Sequence, residues 1–276
     1  MFELPEIKTL ERQIRDELVG RTVVRSRITP EPPKFFFVSP TPAAFDEGLT
    51  GQTLERVTSS GKCLYVALSG GRRWVLGETG GRLEVHDHES THPKKLHWAA
   101  KLDDGRSVTL TIQMWGFLGL MSEQEIDAHP YLGCGGPSPA DPGFTAQVLA
   151  AAIDGGLAKK NEPIKAFLIH RANIDGIGNG YLQDILWSSR ISPRRKLADL
   201  SSPDRTALHR AIVETMREAT RLGGRDTEFD LHGHPGSYVP RLDRRQVGQP
   251  CPNCGAPIEK IQYLGGSCYV CPECQM

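Results

Sequence analysis

Apolar residues change their spacing along the chain, and this change divides it into a strand-rich and a helix-rich part. Apolar side chains recur at helical intervals from Ile7 to Leu18, between Pro5 and Gly20, which predicts one amphipathic helix at the start. From residue 22 to about residue 121, short β-type segments are separated by Pro, Gly and Asp. This pattern favours a β-sandwich or barrel-like domain. Strands are predicted at residues 22–28, 35–38, 62–68, 74–76, 82–85, 97–102 and 107–112.

Proline and glycine become dense between Pro130 and Pro142, and the β pattern ends there, so we place a linker in this stretch. Beyond it, strands give way to helical spacing, which predicts an α+β multidomain protein. The predicted helices cover residues 144–153, 163–170, 181–189 and 203–222. The predicted domains are residues 1–127, strand-rich, residues 143–246, helical, and residues 247–276, a small module, with the linker at residues 128–142.

Four of the seven cysteines form two pairs near the end of the chain, Cys251 with Cys254 and Cys271 with Cys274, with sixteen residues between the pairs. This spacing is typical of a structural zinc site, and the small hairpin predicted between the pairs needs a metal for stability. Two disulfides are the alternative, but no other feature suggests an oxidising compartment. Four thiolates leave no open coordination position, so we expect one structural Zn²⁺ per chain.

Composition and charge narrow the class of protein only a little. The chain of 276 residues is long enough for two domains, and its formal net charge is zero, so any binding of nucleic acid depends on local basic patches. The charged N-terminal stretch has no apolar run of the length that a signal peptide or membrane span requires. We therefore expect a cytoplasmic monomer with reduced thiols and no membrane partner, in which Cys63 and Cys134 have no assigned function.

A glycine-rich turn, NIDGIGNG at residues 173–180, precedes the helix predicted at residues 181–189. Backbone N–H groups and the amide of Asn179, beside Gly178, at the positive end of a helix suit an anion such as phosphate. The turn follows a helix and not a strand, so no nucleotide cofactor is expected. A capped turn without a ligand is the alternative. Because Arg194 and Arg195 follow closely, we predict contact with a nucleic-acid backbone.

In this order and spacing, the motifs resemble the formamidopyrimidine-DNA glycosylase and endonuclease VIII family of base-excision repair enzymes. The resemblance rests on ELPE at residues 3–6, Gly61-Lys62 before a strand, the GIGNGY turn at residues 176–181 and the cysteine pairs followed by Gln275. It covers nearly the whole chain. It implies an N-terminal β-sandwich, a helix–two-turns–helix DNA-binding domain and a zinc finger. It also implies that the partner is double-stranded DNA containing damaged or modified bases, at a bacterial nucleoid.

The resemblance also implies roles for individual residues. In the family, a proline amine at the processed N-terminus attacks C1′ of a flipped nucleotide, the adjacent glutamate transfers protons, and a lysine binds phosphate near the lesion. Glu3 and Lys62 match that glutamate and lysine, Glu6 matches a further acidic position, and Asn179 matches the phosphate-binding asparagine of the turn. A carboxylate and a cation beside the reacting atoms suit this chemistry.

Four positions depart from the family pattern. Phe2 stands where the family has its nucleophilic proline, and Glu78 replaces the methionine that fills the gap left by a flipped base. The next gap-filling stretch lacks its arginine, although Trp115 or Phe117 offers an apolar wedge there. The hairpin tip at residues 265–268 lacks the arginine that holds phosphates around the lesion.

Two classes of function fit these residues. A DNA glycosylase acting on damaged bases would use the α-amine of Met1, which titrates nearer neutral pH than a lysine, or water activated by Glu3 with little or no lyase activity. A protein that binds damaged DNA without cutting it is the alternative, because the zinc site and the turn are kept while the nucleophile is lost. Retention of Glu3 and Glu6 favours the glycosylase, which is the function we predict.

Overall fold

The computed structural model describes residues 1–30 and 33–276, which fold into two compact units. The amino-terminal unit consists of Met1–Cys134 and Leu222–Ser237, and the carboxy-terminal unit of Gly135–Arg221 and Tyr238–Met276. The amino-terminal unit therefore includes a segment that the chain reaches only after the long helices of the other unit. The domain boundaries derived from the sequence stay a prediction.

The amino-terminal unit combines helices with two β-sheets. Its elements are α1 (Leu4–Glu17), β1 (Val23–Ile28), β2 (Phe36–Ser39), α2 (Pro42–Leu49), β3 (Leu54–Ser60), β4 (Cys63–Leu68), β5 (Arg73–Leu76), β6 (Gly81–His86), β7 (Trp98–Leu102), β8 (Ser107–Ile112), β9 (Gly116–Met121) and α3 (Glu123–Ala128). One sheet has the strand order β1-β7-β8-β6 and the other the order β2-β9-β5-β4-β3. Strands β2 and β9 are parallel, whereas the other pairs are antiparallel.

Side chains from both sheets and from α1 share one hydrophobic core, as in a β-sandwich. Along β7 the side chains of Trp98, Ala100 and Leu102 are buried and those between them are half-buried, which is the two-residue period of a strand. The rings of Trp98 and Trp74, on β5 of the other sheet, have centroids 5.1 Å apart. The hydrophobic core thus lies between the two sheets.

The carboxy-terminal unit is built from helices and one hairpin. Its elements are α4 (Ala146–Lys159), α5 (Ile164–Ile169), α6 (Asn179–Ser188), α7 (Ser202–Arg221), β10 (Glu259–Tyr263) and β11 (Gly266–Val270). Helix α6 packs against both α7 and β11. Because of this packing, the start of α6 and the tip of the hairpin lie close together.

The predicted α+β fold class is confirmed, and each predicted helix and strand is present within a few residues of its place, apart from a longer C-terminal end of α4. The sequence missed β3, β9, α2 and α3. Strand β9 escaped detection because it is buried on both faces, so its sequence GFLGLM does not alternate between apolar and polar residues. Within the described ranges, no helix is both long and apolar enough to cross a membrane.

Candidate active site and nucleic-acid interface

The first two residues of the chain lie in different surroundings. Phe2 is completely buried in the core, and its N–H donates to the carbonyl of Thr79 (2.9 Å). The Met1 side chain is 32% exposed, and its α-ammonium nitrogen lies 2.5 Å from Oε1 of Glu228. The position that matches the family's proline therefore holds an anchored core residue, and the only α-amine belongs to Met1.

Glu3 and Glu6 lie at the start of α1, where Pro5 suits the first helical turn. The N–H of Glu3 donates to Oε2 of Glu6 (2.9 Å), which satisfies one of the N–H groups that a helix start leaves without an intrahelical partner. Both carboxyl side chains are only 2% exposed. Buried carboxylates need charged or hydrogen-bonding partners.

Arg225 is the cation that these two carboxylates share. Its Nη2 lies 3.6 Å from Glu3 and its Nε 3.4 Å from Glu6, and its N–H donates to Oε1 of Glu6 (3.0 Å). The preceding Gly224 makes this approach possible: it has φ +97°, and a Cβ there would lie 2.9 Å from the Glu6 side chain. Arg225 therefore gives both buried carboxyl groups at the start of α1 a cationic partner.

A second ion pair involves Lys62, the residue that matches the family's phosphate-binding lysine. Lys62 follows Gly61 in the turn between β3 and β4, and its Nζ lies 2.7 Å from Oε1 of Glu78. The hydroxyl of Tyr131 donates to the other oxygen of Glu78 (2.6 Å). Glu78, which replaces the family's gap-filling methionine, thus neutralises a lysine that is only 5% exposed.

The aromatic residues predicted as wedges have unequal access to solvent. Trp115 is 43% exposed, and its ring centroid lies 4.6 Å from that of Phe37, which is exposed to the same extent. Phe117 lies in β9, half-buried, with its ring 5.6 Å from that of His129. Of the two candidates, Trp115 presents the larger apolar surface.

In the carboxy-terminal unit, the glycine-rich turn leads directly into α6. Gly176 has φ +102°, Gly178 is the N-cap, and Asn179 is the first helical residue. The side-chain amide of Asn179 donates to the carbonyl of Ser267 at the hairpin tip (3.1 Å). Gln183 donates to the same carbonyl at 3.3 Å. The turn and the hairpin tip, which the sequence placed in separate motifs, form one surface.

The buried side chain of Lys165, on α5, contacts the same hairpin. Its side chain is 1% exposed, and its Nζ donates to the carbonyl of Tyr263 (2.7 Å) and to Sγ of Cys268 (3.3 Å). A Cβ added at Gly266 would lie 3.4 Å from this amine. The hairpin tip without an arginine is therefore backed by a buried lysine from another element.

The two predicted DNA-binding arginines differ in their contacts. The Arg194 guanidinium lies 5.4 Å from the ring centroid of Tyr263 on the hairpin. Arg195 pairs with Asp204 at 2.8 Å and donates to the carbonyl of Asp199. The basic run looks free of acidic residues in the sequence, but Asp204 from the start of α7 compensates one of its charges.

The four paired cysteines converge on one point, with their sulfur atoms within 4.8 Å of one another, so this cluster can hold a metal ion. None of the cysteines is in a disulfide. Burial raises the pKa of Cys251, but hydrogen bonds from the Trp187 indole and from backbone N–H groups outweigh it and lower the pKa to about 6. Burial and the neighbouring Cys254 thiol raise the pKa of Cys271 in the same cluster, so a bound cation would be needed to hold all four groups as thiolates.

Sequence reasoning missed four residues that the structure places in these sites: Tyr131, Lys165, Arg225 and Glu228. The glycine pair before Arg225 indicated only the end of a helix. The single lysine within the apolar run IKAFLI was the one available hint for Lys165, because a buried amine is costly without partners. The contacts of Arg225 and Glu228 join residues more than 200 positions apart, and apolar periodicity carries no information about such pairs.

Two family models match the chain. Residues 1–113 match the formamidopyrimidine-DNA glycosylase N-terminal domain, and residues 136–230 match the H2TH domain of the same family. Formamidopyrimidine-DNA glycosylases of Symbiobacterium thermophilum and Geobacter sulfurreducens are each 33% identical over the whole chain, covering 89% and 100% of those relatives. The chain belongs to the formamidopyrimidine-DNA glycosylase family.

Solved structures agree with this assignment. A complex of Lactococcus lactis Fpg with DNA containing an abasic site has a TM-score of 0.85 and 25% identity, with 99% of both chains covered. The MutM (Fpg) protein of Thermus thermophilus has a TM-score of 0.83 and 26% identity, covering 99% of this chain and 98% of that one. The predicted family and class of enzyme, a DNA glycosylase of base excision repair, are confirmed, and a non-catalytic binding protein is not favoured.

Proposed function

We propose that the protein removes damaged or modified bases from double-stranded DNA by hydrolysis of the N-glycosidic bond, with Glu3 activating the water and with little or no strand cleavage. The burial of Phe2 is the observation that carries this proposal. Phe2 is fully buried, and its nitrogen is a backbone amide whose N–H donates to the carbonyl of Thr79, so this residue cannot supply the amine that the family's proline supplies. Glu3 is left as the group with the right chemistry, and its carboxyl group lies 3.6 Å from Nη2 of Arg225, which is its cationic partner.

Glu3 has two tasks in this proposal. As a base it takes a proton from the water that attacks C1′, and as an anion it stabilises the positive charge that develops on the sugar when the bond to the base breaks. Glu6 supports it by holding Arg225. Met1 remains the alternative nucleophile, because its α-amine lies one residue before Phe2 and two before Glu3.

The remaining predicted residues would hold the DNA. Gly178 and Asn179 would bind a backbone phosphate at the start of α6, and Arg194 and Arg195 would contact the backbone nearby. Lys62 would reach a phosphate only by exchanging its partner Glu78 for it.

Apolar contact with the bases is the task proposed for Trp115, with Phe117 as the second candidate. The larger exposed surface of Trp115 and its contact with Phe37 support this order.

Related proteins support DNA as the partner. Solved structures similar to this chain include the Lactococcus lactis Fpg with abasic-site DNA and MutM with DNA containing carbocyclic 8-oxo-G, the latter with a TM-score of 0.85. The curated relatives are bacterial proteins, which supports a cytoplasmic location at the nucleoid of a bacterium.

We assign the metal as one structural Zn²⁺ held by Cys251, Cys254, Cys271 and Cys274. Four thiolates are the ligand set that tetrahedral zinc prefers, and they leave no position for a reacting water. The zinc would fix the two ends of the β10–β11 hairpin, and the protein residues Asn179 and Gln183 hold its tip.

Replacing Glu3 with Gln tests the proposed chemistry. We expect excision of damaged bases, revealed by hot alkali, to fall about 100-fold or more, the usual contribution of a general base. Binding to DNA with an uncleavable abasic analogue should change little, and Glu17→Gln at the other end of α1 should retain activity. Unchanged excision by Glu3→Gln on every substrate that the parent protein cleaves would remove Glu3 from the chemistry.

A further inference from the structure

The segment Leu222–Ser237 brings two charged residues, Arg225 and Glu228, to the first residue of the chain. The segment belongs to the same compact unit as the N-terminus, although more than 200 residues separate them in sequence. Glu228 binds the α-ammonium group of Met1 at 2.5 Å, and Nη2 of Arg225 donates to the Met1 carbonyl (2.7 Å). Both main-chain ends of Met1 are therefore held by this one segment.

The two residues also hold each other and the start of α1. Arg225 Nη2 lies 3.4 Å from Glu228, whose side chain is 14% exposed, and 3.6 Å from Glu3. The backbone N–H of Arg225 is bonded to the buried Glu6. These contacts fix the position of the segment relative to Met1, so the ion pair of Glu228 with the α-amine is part of a connected network.

An amine attacks a sugar carbon through its lone pair. In the ammonium form that Glu228 binds, this pair is used for an N–H bond and is unavailable. Release of the amine requires both loss of a proton and separation from a partly buried carboxylate. The ion pair therefore opposes covalent catalysis by the only α-amine of the chain.

We propose that Glu228 and Arg225 are positioning residues that withdraw the Met1 amine from the reaction and hold Glu3 as the reacting carboxylate. They would thereby decide that the enzyme hydrolyses the glycosidic bond with water and does not form a Schiff base. This inference rests on the proposed glycosylase function and adds the reason why strand cleavage is weak or absent. A role confined to stability would affect folding but would not change which group attacks the sugar.

The first test measures access to the amine without DNA. Untagged protein, with Met1 confirmed by intact mass, is treated near neutral pH with an N-hydroxysuccinimide ester, which acylates a neutral amine with loss of N-hydroxysuccinimide, and the labelling rate of the Met1 amine is followed by peptide mass spectrometry. We expect Glu228→Gln to raise the rate about fivefold, the factor for one moderately exposed ion pair. Glu228→Asp should restore most of the protection. Glu89→Gln, which removes an exposed carboxylate paired with Arg25 and Lys101, should label at the parent rate.

Equal labelling of the parent protein and Glu228→Gln would overturn the inference. If Glu228→Gln does not fold, as judged by its thermal transition, Arg225→Lys takes its place. That variant loses the bond to the Met1 carbonyl, and we expect its labelling to rise about twofold. Parent-like labelling of folded Arg225→Lys would then overturn the inference.

The second test uses borohydride trapping on duplex DNA with an abasic site. A neutral amine adds to the C1′ aldehyde of the ring-opened sugar, water leaves to form an iminium ion, and borohydride reduces the C=N bond to a stable secondary amine. We expect little adduct with the parent protein and about fivefold more with Glu228→Gln. Abundant adduct in the parent that Glu228→Gln abolishes would make Glu228 a base and overturn the inference. Faster labelling without any gain in adduct would overturn it as well.

Excision of damaged bases separates this inference from the proposed function. A parent protein that excises no base from any damaged duplex would contradict the glycosylase function, whatever the labelling rates are. Excision that proceeds normally, with labelling and trapping unaffected by Glu228→Gln, would contradict only the role of Glu228 and Arg225.

Discussion

Lys62 and the α-ammonium group of Met1, in the amino-terminal unit, have partners of a different kind from those of Lys165 in the carboxy-terminal unit, although both units carry residues predicted to contact DNA. In the amino-terminal unit, Lys62 is paired with Glu78 and the α-ammonium of Met1 with Glu228. In the carboxy-terminal unit, Lys165 donates to the backbone carbonyl of Tyr263 on the hairpin. The neutral amide of Asn179 donates to another hairpin carbonyl, that of Ser267, while Arg195 is paired with a carboxylate, Asp204. A carbonyl orients a cation without cancelling its charge, whereas a carboxylate neutralises it.

The resemblance to the family is therefore closer at the proposed DNA-binding residues than at the proposed reaction centre. The carboxy-terminal unit keeps the four cysteines and the phosphate-binding turn in the family pattern, and its hairpin tip is supported from within. At the start of the chain, a buried phenylalanine stands where the family has its amine nucleophile, and the α-ammonium group of Met1 is paired with the carboxylate of Glu228. The proposed DNA-binding surface largely keeps the family's residue types, whereas the residues at the proposed reaction centre differ from them.

Loss of a zinc ligand should have a large effect on the carboxy-terminal unit and little effect on the amino-terminal unit. Cys271→Ser should release the proposed Zn²⁺ and disorder the hairpin, because structural zinc contributes about 10–16 kcal/mol to such modules. We expect DNA affinity, measured by fluorescence anisotropy, to fall about 100-fold or more, while labelling of the Met1 amine stays unchanged. Cys134→Ser serves as the control and should retain its zinc. If the variant has lost its zinc but keeps its affinity for DNA, the hairpin does not contribute to DNA binding.

Removal of the Phe2 side chain tests how far the amino-terminal site depends on the core. Phe2→Ala leaves a cavity at a fully buried position and should lower the free energy of unfolding by about 3–5 kcal/mol. Urea unfolding monitored by tryptophan fluorescence measures this change. Phe2→Leu, which retains most of the volume, should cost much less, about 1 kcal/mol. An equally small loss for Phe2→Ala would mean that the residue does not anchor the N-terminus.

Asn179→Ala tests the contribution of the carboxy-terminal unit to DNA binding. The variant loses the proposed phosphate contact and the bond to Ser267, so DNA affinity should fall about fivefold to tenfold. The loss should be similar for all DNA sequences, because a phosphate contact does not read the base. Asn161→Ala, at an exposed asparagine of the same unit, is the matched control. A loss confined to particular sequences would argue against a phosphate role.

Glu78→Gln should have the smallest effect and the opposite sign. The substitution removes the carboxylate that neutralises Lys62, so binding should become about threefold tighter and the salt dependence steeper by about one ion. Affinity measured over a series of salt concentrations gives both quantities. Tyr131→Phe removes only the hydroxyl bonded to Glu78 and should leave the salt dependence unchanged. Weaker binding by Glu78→Gln would mean that the carboxylate itself supports the DNA complex.

Features formed by residues close together in the sequence were predicted, whereas contacts between residues far apart in the sequence were missed. Cys251 and Cys254 are close in sequence, as are Gly178 and Asn179, so local spacing was sufficient to predict the metal cluster and the turn. The contact between Asn179 and Ser267 spans 88 positions and was not predicted. Strand β9 was missed for a related reason, because burial on both faces removes the alternation by which a strand is detected.

By itself, the sequence determined the class of protein, the division into a strand-rich and a helix-rich part, the cysteine cluster and the absence of the expected proline at Phe2. These properties depend on residue identity and local spacing. Only the tertiary structure decided which cation pairs with which carboxylate: Lys62 with Glu78, and Met1 with Glu228. Charged side chains choose partners by distance in the folded chain, and folding brings together segments whose separation in sequence gives no hint of their contact.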